Sequence, residues 1–450
     1  AKRRCSEGRG KHSATDRNKG EVNNMKKISH RYVRKTAAGV VALSMLCAAA
    51  IPSVLAMPAG AASASGDLNG DGSVTAADVA ILQTSLLGGT ALTAEQYANA
   101  DVTGDGAVDG LDLTRLRQMA AVVPVSDAIA IHLSDSGITV EGDTKGVTAV
   151  SGKAVTISAS GNYTVDGSIT DGQILVNIPD TTADSDAVSL YLQDVTMTSS
   201  NGAPCILGQS AKKLKLTCSG ENTLTDTAAE ANADTSGVIY GDCDITVTKN
   251  STGTLNITSS MNTAIRSKDD IKLNGGAVVI NTDVDDTSDA DAIRANNTLE
   301  VDGASVSITS SADGLKSSKE DVSILSGKVS IKVGNDAVQA ATALNISGGT
   351  VIASGDRGFT LDENGTLAIT GGDVLATATD YAFGMDSSGA AVTVDTSGCT
   401  QGVVQLDYAA EWKKSNAVTL KKGSDTVFEM TPNKKYTYVL ASGAKLSGTD

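Results

Sequence analysis

Between residues 244 and 395 one short phrase keeps returning: an alternating strand, a Gly-containing turn, a second alternating strand and a small-residue corner. In order the phrases are DITVTKNSTGTLNIT, DIKLNGGAVVINT, TLEVDGASVSITS, DVSILSGKVSIKV, ALNISGGTVIASG, TLAITGGDVLATA and AVTVDTSG. Their first-strand residues Ile245, Ile271, Leu299, Val322, Leu344, Leu367 and Val392 lie 26, 28, 23, 22, 23 and 25 residues apart. Units this small cannot bury an apolar face alone. They must stack on their neighbours, which restricts the chain to a solenoid.

The pattern inside each unit selects the kind of solenoid. Apolar positions alternate with polar ones at period two: Leu299/Val301 then Val306/Ile308, Val322/Ile324 then Val329/Ile331, Leu344/Ile346 then Val351/Ala353. A third apolar column follows at the corner, at Ile265, Ile293, Leu315, Val338, Phe359 and Phe383. No unit holds the ten or so residues of 3.6 periodicity that a helix needs, which argues against leucine-rich and ankyrin-type repeats. Three short strands per turn, each stacked about 4.8 Å from the next turn, describe a mainly β fold, a right-handed parallel β-helix. The pairs Gly275-Gly276, Gly348-Gly349 and Gly371-Gly372 suit the bends between its faces, where φ is positive.

The N-terminal region is of another kind. Residues 1–24 are basic and polar without periodicity, and K-G-E-V at 19–22 can be encoded by a purine-rich ribosome-binding sequence. Met25 is therefore expected to be the true start, the alternative being a short basic arm. From Met25, the cations Lys26, Lys27, Arg31, Arg34 and Lys35 precede an apolar run from Ala37 to Ile51. Small-residue cleavage options end at Ala56, Ala61 or Ala64. This is the pattern of a secretory signal, too short for a comfortable membrane span, and it predicts an exported, extracellular protein.

Beyond residue 64 the chain carries 24 Lys and Arg against 49 Asp and Glu, a formal charge of −25. Such a surface argues against nucleic acid and anionic membranes as partners and suits the collection of divalent cations. Four cysteines remain there, Cys205, Cys218, Cys243 and Cys399. The first three fall in neighbouring units, where one disulfide can form. With no C-x-x-C pair and His132 as the lone histidine beyond residue 64, neither a zinc site nor a Ser-His-Asp triad is expected.

Residues 66–122 carry the sharpest motif. GDLNGDGSVTAAD places Asp67, Asn69, Asp71, Thr75 and Asp78 at positions 1, 3, 5, 9 and 12 of a calcium loop, with the Ser73 carbonyl at 7 and Gly72 at the bend. ADVTGDGAVDGLD repeats it 34 residues later with Asp101, Thr103, Asp105, Asp109 and Asp112, the Ala107 carbonyl and Gly106. Calcium takes six to eight oxygens, and alternating short side chains on a tight loop supply them. Each loop runs into an amphipathic helix, AADVAILQTSLL and LDLTRLRQMAAVV. Position 12 is Asp where an EF-hand has Glu. A duplicated loop and helix of this length resembles a dockerin, the module that plugs secreted proteins of plant-cell-wall-degrading anaerobes into cohesins on a scaffold. The resemblance implies bound Ca2+ and a cohesin partner. It also implies partner selection by loop positions 10 and 11, here Ala76-Ala77 and Gly110-Leu111, without the Ser/Thr pair of the best-known type.

After the linker VVPVSDA, residues 129–200 read as the first coils of the same solenoid, and 221–241 reads as a long polar insertion. The order GNYTVDGSITDGQILV, a coil with ENTLTD, repeated D-x-L/I strands with S-x-D-G/A corners, and a closing YTYVLASGAKL resembles a carbohydrate-binding parallel β-helix family of cellulolytic clostridia. Membership implies export, calcium and a fold shared with pectate and other polysaccharide lyases. The expected division is 1–24 leader, 25–64 signal peptide and small-residue linker, 66–122 dockerin, 123–128 linker, 129–402 β-helix carbohydrate-binding domain and 403–450 C-terminal β cap.

Aligned corners show where chemistry can sit. They read T-A-I-R-S-K-D-D at 263–270, D-A-I-R-A at 291–295, D-G-L-K-S at 313–317 and D-A-V-Q-A at 336–340, then R-G-F-T and Y-A-F-G. Asp291, Asp313 and Asp336 therefore stack on one edge, with Arg266, Arg294, Lys316 and Gln339 in a parallel row. Like charges so close disfavour ionisation unless a cation sits among them. One reading places calcium on the three aspartates, helped by Asp269, Asp270, Asp289, Asn335, Asp356 or Asp380, with the basic row receiving sugar carboxylates or hydroxyls. The other is an Asp/Asn ladder on turn backbones beside solvated cations. Aromatics are scarce, and Trp412, the only Trp, is expected with Tyr408 to cap the solenoid's open core, the alternative being a small aromatic patch. The expected function is a cellulosome-associated, calcium-dependent binder of plant cell-wall polysaccharide, pectic in one version. The alternatives are a calcium-dependent lyase, with Arg266, Arg294 or Lys316 as base, and a structural spacer.

Overall fold

The structure, a computed structural model, describes residues 66–70, 74, 76–103, 106–120, 128–282, 290–362, 364–379, 383, 394–414 and 416–446. The signal segment, the linker at 123–127, Asp71, Ser73, Thr75, Asp105, Asp289, Asp380 and Val392 lie outside the described residues, as do the side chains of Ala76 and Ala77.

The duplicated motif forms three helices. Helix α1, Ala76–Leu86, and helix α3, Gly110–Ala120, follow the two loops as their patterns require. Between them lies α2, Ala94–Ala100, which the apolar pattern does not announce. It starts at a capping box, in which the Gln96 amide donates to Thr93 Oγ1 and Gln96 Oε1 accepts from the Thr93 amide. Leu68, Leu82, Ala100 and Leu116 make a small core.

From Ile129 onward the chain is a parallel β-helix of about eight turns. The first-strand column pairs residue for residue, Ile245 with Ile271, Leu299, Val322, Leu344 and Leu367 in turn. The corner column does the same from Ile265 through Ile293, Leu315 and Val338 to Phe359. Period-two alternation puts all of these inside one continuous core, where each fully enclosed Leu or Ile contributes roughly 1.5–3 kcal/mol relative to exposure.

Two of the three faces are less separate than the phrases suggest. Leu299–Ser310 and Val322–Val333 each run unbroken through the Gly turn, bending at Gly303 and Gly327, so those two faces belong to one long sheet. Among the described residues the corners form a separate ten-stranded sheet, from Thr148–Ser151 to Arg357–Leu361. Residues 221–241 are not simply an insertion. Glu221–Asp226 stacks on Thr254–Ser259, and Ile239–Gly241 pairs with both Ile206–Ser210 and Ile265–Ser267.

Cys205, Cys218 and Cys243 are free thiols in this core, not a disulfide, and Cys399 is also free. Burial pushes the first three up to about 12. Among the described residues no helix is long and apolar enough to cross a membrane.

Candidate functional site

In the ten-stranded sheet one position of each strand from Gln173–Asn177 onward falls in a common row, set by parallel register. The row runs Leu175, Leu207, Tyr240, Arg266, Arg294, Lys316, Gln339 and Thr360. The four residues expected from the aligned corners are thus consecutive. Tyr240 was hidden in the supposed insertion. Its ring is buried, with Lys268 Nζ 5.7 Å from its centroid, and that ammonium also lies 2.8 Å from Asp242.

Asp291, Asp313 and Asp336 stand three residues before Arg294, Lys316 and Gln339, at 2–3% exposure. Their charges are met by side chains. Lys316 Nζ lies 2.8 Å from Asp313 Oδ2 and 3.5 Å from Asp291 Oδ1, and Arg294 Nη1 lies 3.6 Å from Asp291 Oδ2. Asp313 Oδ1 accepts from Asn335 Nδ2 at 2.7 Å and from the Asp336 amide at 3.0 Å. Asp336 is bonded by Arg357, which occupies the next place in the aspartate column and also donates to Asn335 Oδ1 at 2.7 Å. The like-charge conflict expected of this column is therefore answered by a ladder of buried ion pairs.

Burial raises the Asp291 carboxyl to about 7, with Lys316 and Arg294 opposing and Asp313 reinforcing the shift. Burial also raises Asp336, against the Arg357 bond. For Lys316, burial favours the neutral amine, but Asp291 and Asp313 together outweigh it and hold the ammonium above its ordinary range. Among the described residues three cations, Arg294, Lys316 and Arg357, thus pair with three carboxylates, and Arg266 makes no ion pair. Gln339 has its Oε1 enclosed, without a hydrogen-bond partner among the described residues.

Among the described residues, oxygen donors for a cation gather in two places. Asp244, Asp269 and Asp270, half-buried, bring carboxylate oxygens within 4.8 Å of one another. Burial and the neighbouring Asp269 and Asp270 raise the Asp244 carboxyl. Asp269 Oδ1 also accepts from Asn297 at 2.6 Å, and Asp270 Oδ1 from the Thr298 amide at 3.0 Å.

The second place is the pair of loops before α1 and α3. Asp67 and Asp78 are buried, Asp67 Oδ1 accepting from the Gly70 amide and Asp78 Oδ1 from the amides of Leu68 and Asn69. Asp101 Oδ2 accepts from the Gly106 amide. Asp112, buried in the first turn of α3, accepts from the Thr103 amide and hydroxyl and from the Asp109 amide. Burial works against its charge, but those bonds win and its pKa is lowered. Carboxylates pulled inward on tight loops are a donor set that fits a hard cation, with Asn69, Ala107 and Asp109 on the same loops. Gly110 and Leu111 are exposed at the head of α3, Leu111 at 63%.

Trp412 departs from its expected role. It is 43% exposed and belongs to neither solenoid core nor cap core, while Tyr408 packs partly buried against the cap's own cluster of Leu375, Val418, Phe428, Tyr436, Val439 and Ala441.

Residues 65–119 match the model of the dockerin type I domain, and residues 151–426 match that of the carbohydrate-binding domain-containing proteins. A carbohydrate-binding domain-containing protein of Acetivibrio thermocellus is 33% identical over 138 residues, 29% of this chain and 46% of the relative. The match thus spans under half of that relative's length. A solved structure described as the polysaccharide lyase-like protein from C. thermocellum, a gadolinium derivative, is 20% identical with a TM-score of 0.36. It covers 59% of this chain and 100% of its own.

Proposed function

From a chain that belongs to the carbohydrate-binding domain-containing family and carries a type I dockerin, we propose an extracellular, cellulosome-associated protein that binds an acidic plant cell-wall polysaccharide along its corner sheet. Type I dockerins bind calcium, and the proposal assigns that ion to the two loops and a scaffold cohesin to the dockerin. The observation that carries the reading is the row Arg266, Arg294, Lys316 and Gln339. Its inner cations are matched by carboxylates, whereas Arg266 has no ion pair among the described residues and is the position at which a sugar carboxylate gains most.

Binding is favoured over cleavage by the state of Lys316. Elimination needs a base, and an ammonium held above its ordinary range between two carboxylates is a poor one.

The test incubates the protein with polygalacturonate, follows ultraviolet absorbance for unsaturated product, and then sediments the polymer. Co-sedimentation without rising absorbance, weakened about tenfold by Arg266→Gln, is the expected result; tenfold is about 1.4 kcal/mol. Rising absorbance establishes a lyase. Protein left in solution removes the pectic ligand. A chelator arm separates direct contact with Arg266 from a calcium bridge, which predicts release.

A further inference from the structure

The strand Val403–Trp412 runs antiparallel to Tyr436–Ser442, and their register slips between Asp407 and Trp412. Asp407 is opposite Tyr438 and Trp412 is opposite Tyr436, so four residues on one strand span a single residue on the other. A bulge of this kind redirects the side chains it contains. Here it assembles three rings. The Tyr408 centroid lies 6.1 Å from that of Tyr436 at 71°, and 5.4 Å from that of Trp412 at 57°. Tyr436 is the fixed base, 2% exposed, its hydroxyl donating to the Asn416 carbonyl at 3.3 Å. Exposure rises outward through Tyr408 to Trp412, so the indole is held from behind and open to solvent.

The C-terminal segment that carries the indole also differs in charge from the rest of the chain. Residues 403–450 hold seven lysines and five acidic residues, whereas residues 65–402 hold 17 Lys and Arg against 44 Asp and Glu. Lys413 and Lys414 follow the indole directly, both exposed, and Lys435, next to Tyr436, pairs with Glu411 at 3.0 Å.

We propose that Trp412, backed by Tyr408 and flanked by Lys413, Lys414 and Lys435, is a second saccharide site whose ligand is a uronate-containing chain. An indole face attracts the polarised C–H groups on one face of a pyranose ring, and ammonium groups beside it meet the ring's carboxylate. Away from the corner row the chain's acidity repels such a polymer, so the cap is one of the few places where it can land. The carbohydrate-binding match includes both Tyr408 and Trp412. This inference rests on the carbohydrate-binding reading but not on the Arg266 row.

Because Trp412 is the chain's one tryptophan, its emission reports on this site alone. Soluble galacturonate oligomers titrated into the full chain should shift that emission saturably, and the shift should persist in Arg266→Gln. Retention on a polygalacturonate affinity gel should fall by about tenfold in Trp412→Ala. The double variant Lys413→Gln/Lys414→Gln keeps the reporter and should weaken the emission response to a similar degree. Unchanged emission, emission that responds to hydroxyethylcellulose but not to galacturonate, or a response abolished by Arg266→Gln would overturn the proposal. Failure of the row alone would leave the emission response in place.

Discussion

Lys316 Nζ lies 2.8 Å from Asp313 Oδ2, three residues back in the same coil. The same ammonium reaches 3.5 Å to Asp291 in the coil before, so one cation serves two carboxylates that are almost wholly enclosed. Removing it leaves both without their main counter-charge. Lys316→Met is expected to cost about 3–5 kcal/mol of unfolding free energy, the range for breaking a buried pair from one side. Urea unfolding of the variant against Asp313→Asn/Lys316→Met measures it; the double variant should recover part of the loss. Equal stability of wild type and single variant would show that the ladder carries no net energy.

Asp291 gives the pH counterpart. Its folded-state carboxyl sits at about 7 against an ordinary 3.8. Between those values the folded chain holds a proton that the unfolded chain has released. This group's contribution is therefore greatest below about pH 4 and declines as pH rises to about 7, by at most about 1.4 kcal/mol per unit. In Asp291→Asn the decline disappears. Unfolding free energies of wild type and variant across this window should differ by a changing amount, and parallel profiles would refute the shift.

For the dockerin loops the expectation concerns metal removal. Calcium at a hundred times its Kd adds about 2.7 kcal/mol to whatever it binds. Chelation should therefore open residues 66–119 to a protease while the solenoid stays intact. Asp112→Ala, which removes the acceptor for the Thr103 and Asp109 amides, should reproduce that cleavage even in calcium. Cleavage that is indifferent to chelator would count against a calcium-held fold.

Coil stacking makes a steric prediction. Gly349 has φ +80°, and a Cβ there would lie 2.6 Å from the Gly327 carbonyl oxygen in the coil below. Gly349→Ala should cost more than about 2 kcal/mol, strain and clash together. Gly146, φ +65° with nothing within 4 Å of its Cβ position, should cost only about 1 kcal/mol as Ala. The two urea midpoints, measured side by side, decide it.

The coil register was legible because inward residues recur as a column. Once Ile265, Ile293, Leu315 and Val338 are aligned, the outward row through Arg266, Arg294, Lys316 and Gln339 follows of necessity. The partner of each charge was not legible. That Lys316 bridges Asp313 and Asp291 depends on where a flexible side chain settles between two coils, which alternation does not encode. Tyr240 was missed because short strands of three residues are drowned by the polar segment leading into them. Trp412 was misplaced for another reason: the bulge before it breaks the period-two rule on which inward and outward are assigned. Helix α2 had a sequence signal in Thr93 and Gln96, but too short an apolar pattern to support it.

The longer sheet does not end as it is built. Ile129–Leu133 carries Thr139–Glu141 antiparallel on one side while the parallel coils begin on the other, and Tyr436–Ser442 lies antiparallel on both Asp373–Ala378 and Val403–Trp412. A stack of identical parallel strands would offer an incoming copy the same template at each tip, the geometry from which fibres grow. Thr139–Glu141 replaces that template at one tip, and at the other Tyr436–Ser442 interposes one reversed strand before Val403–Trp412. The run of parallel pairing is thus broken at both tips by strands of the chain itself.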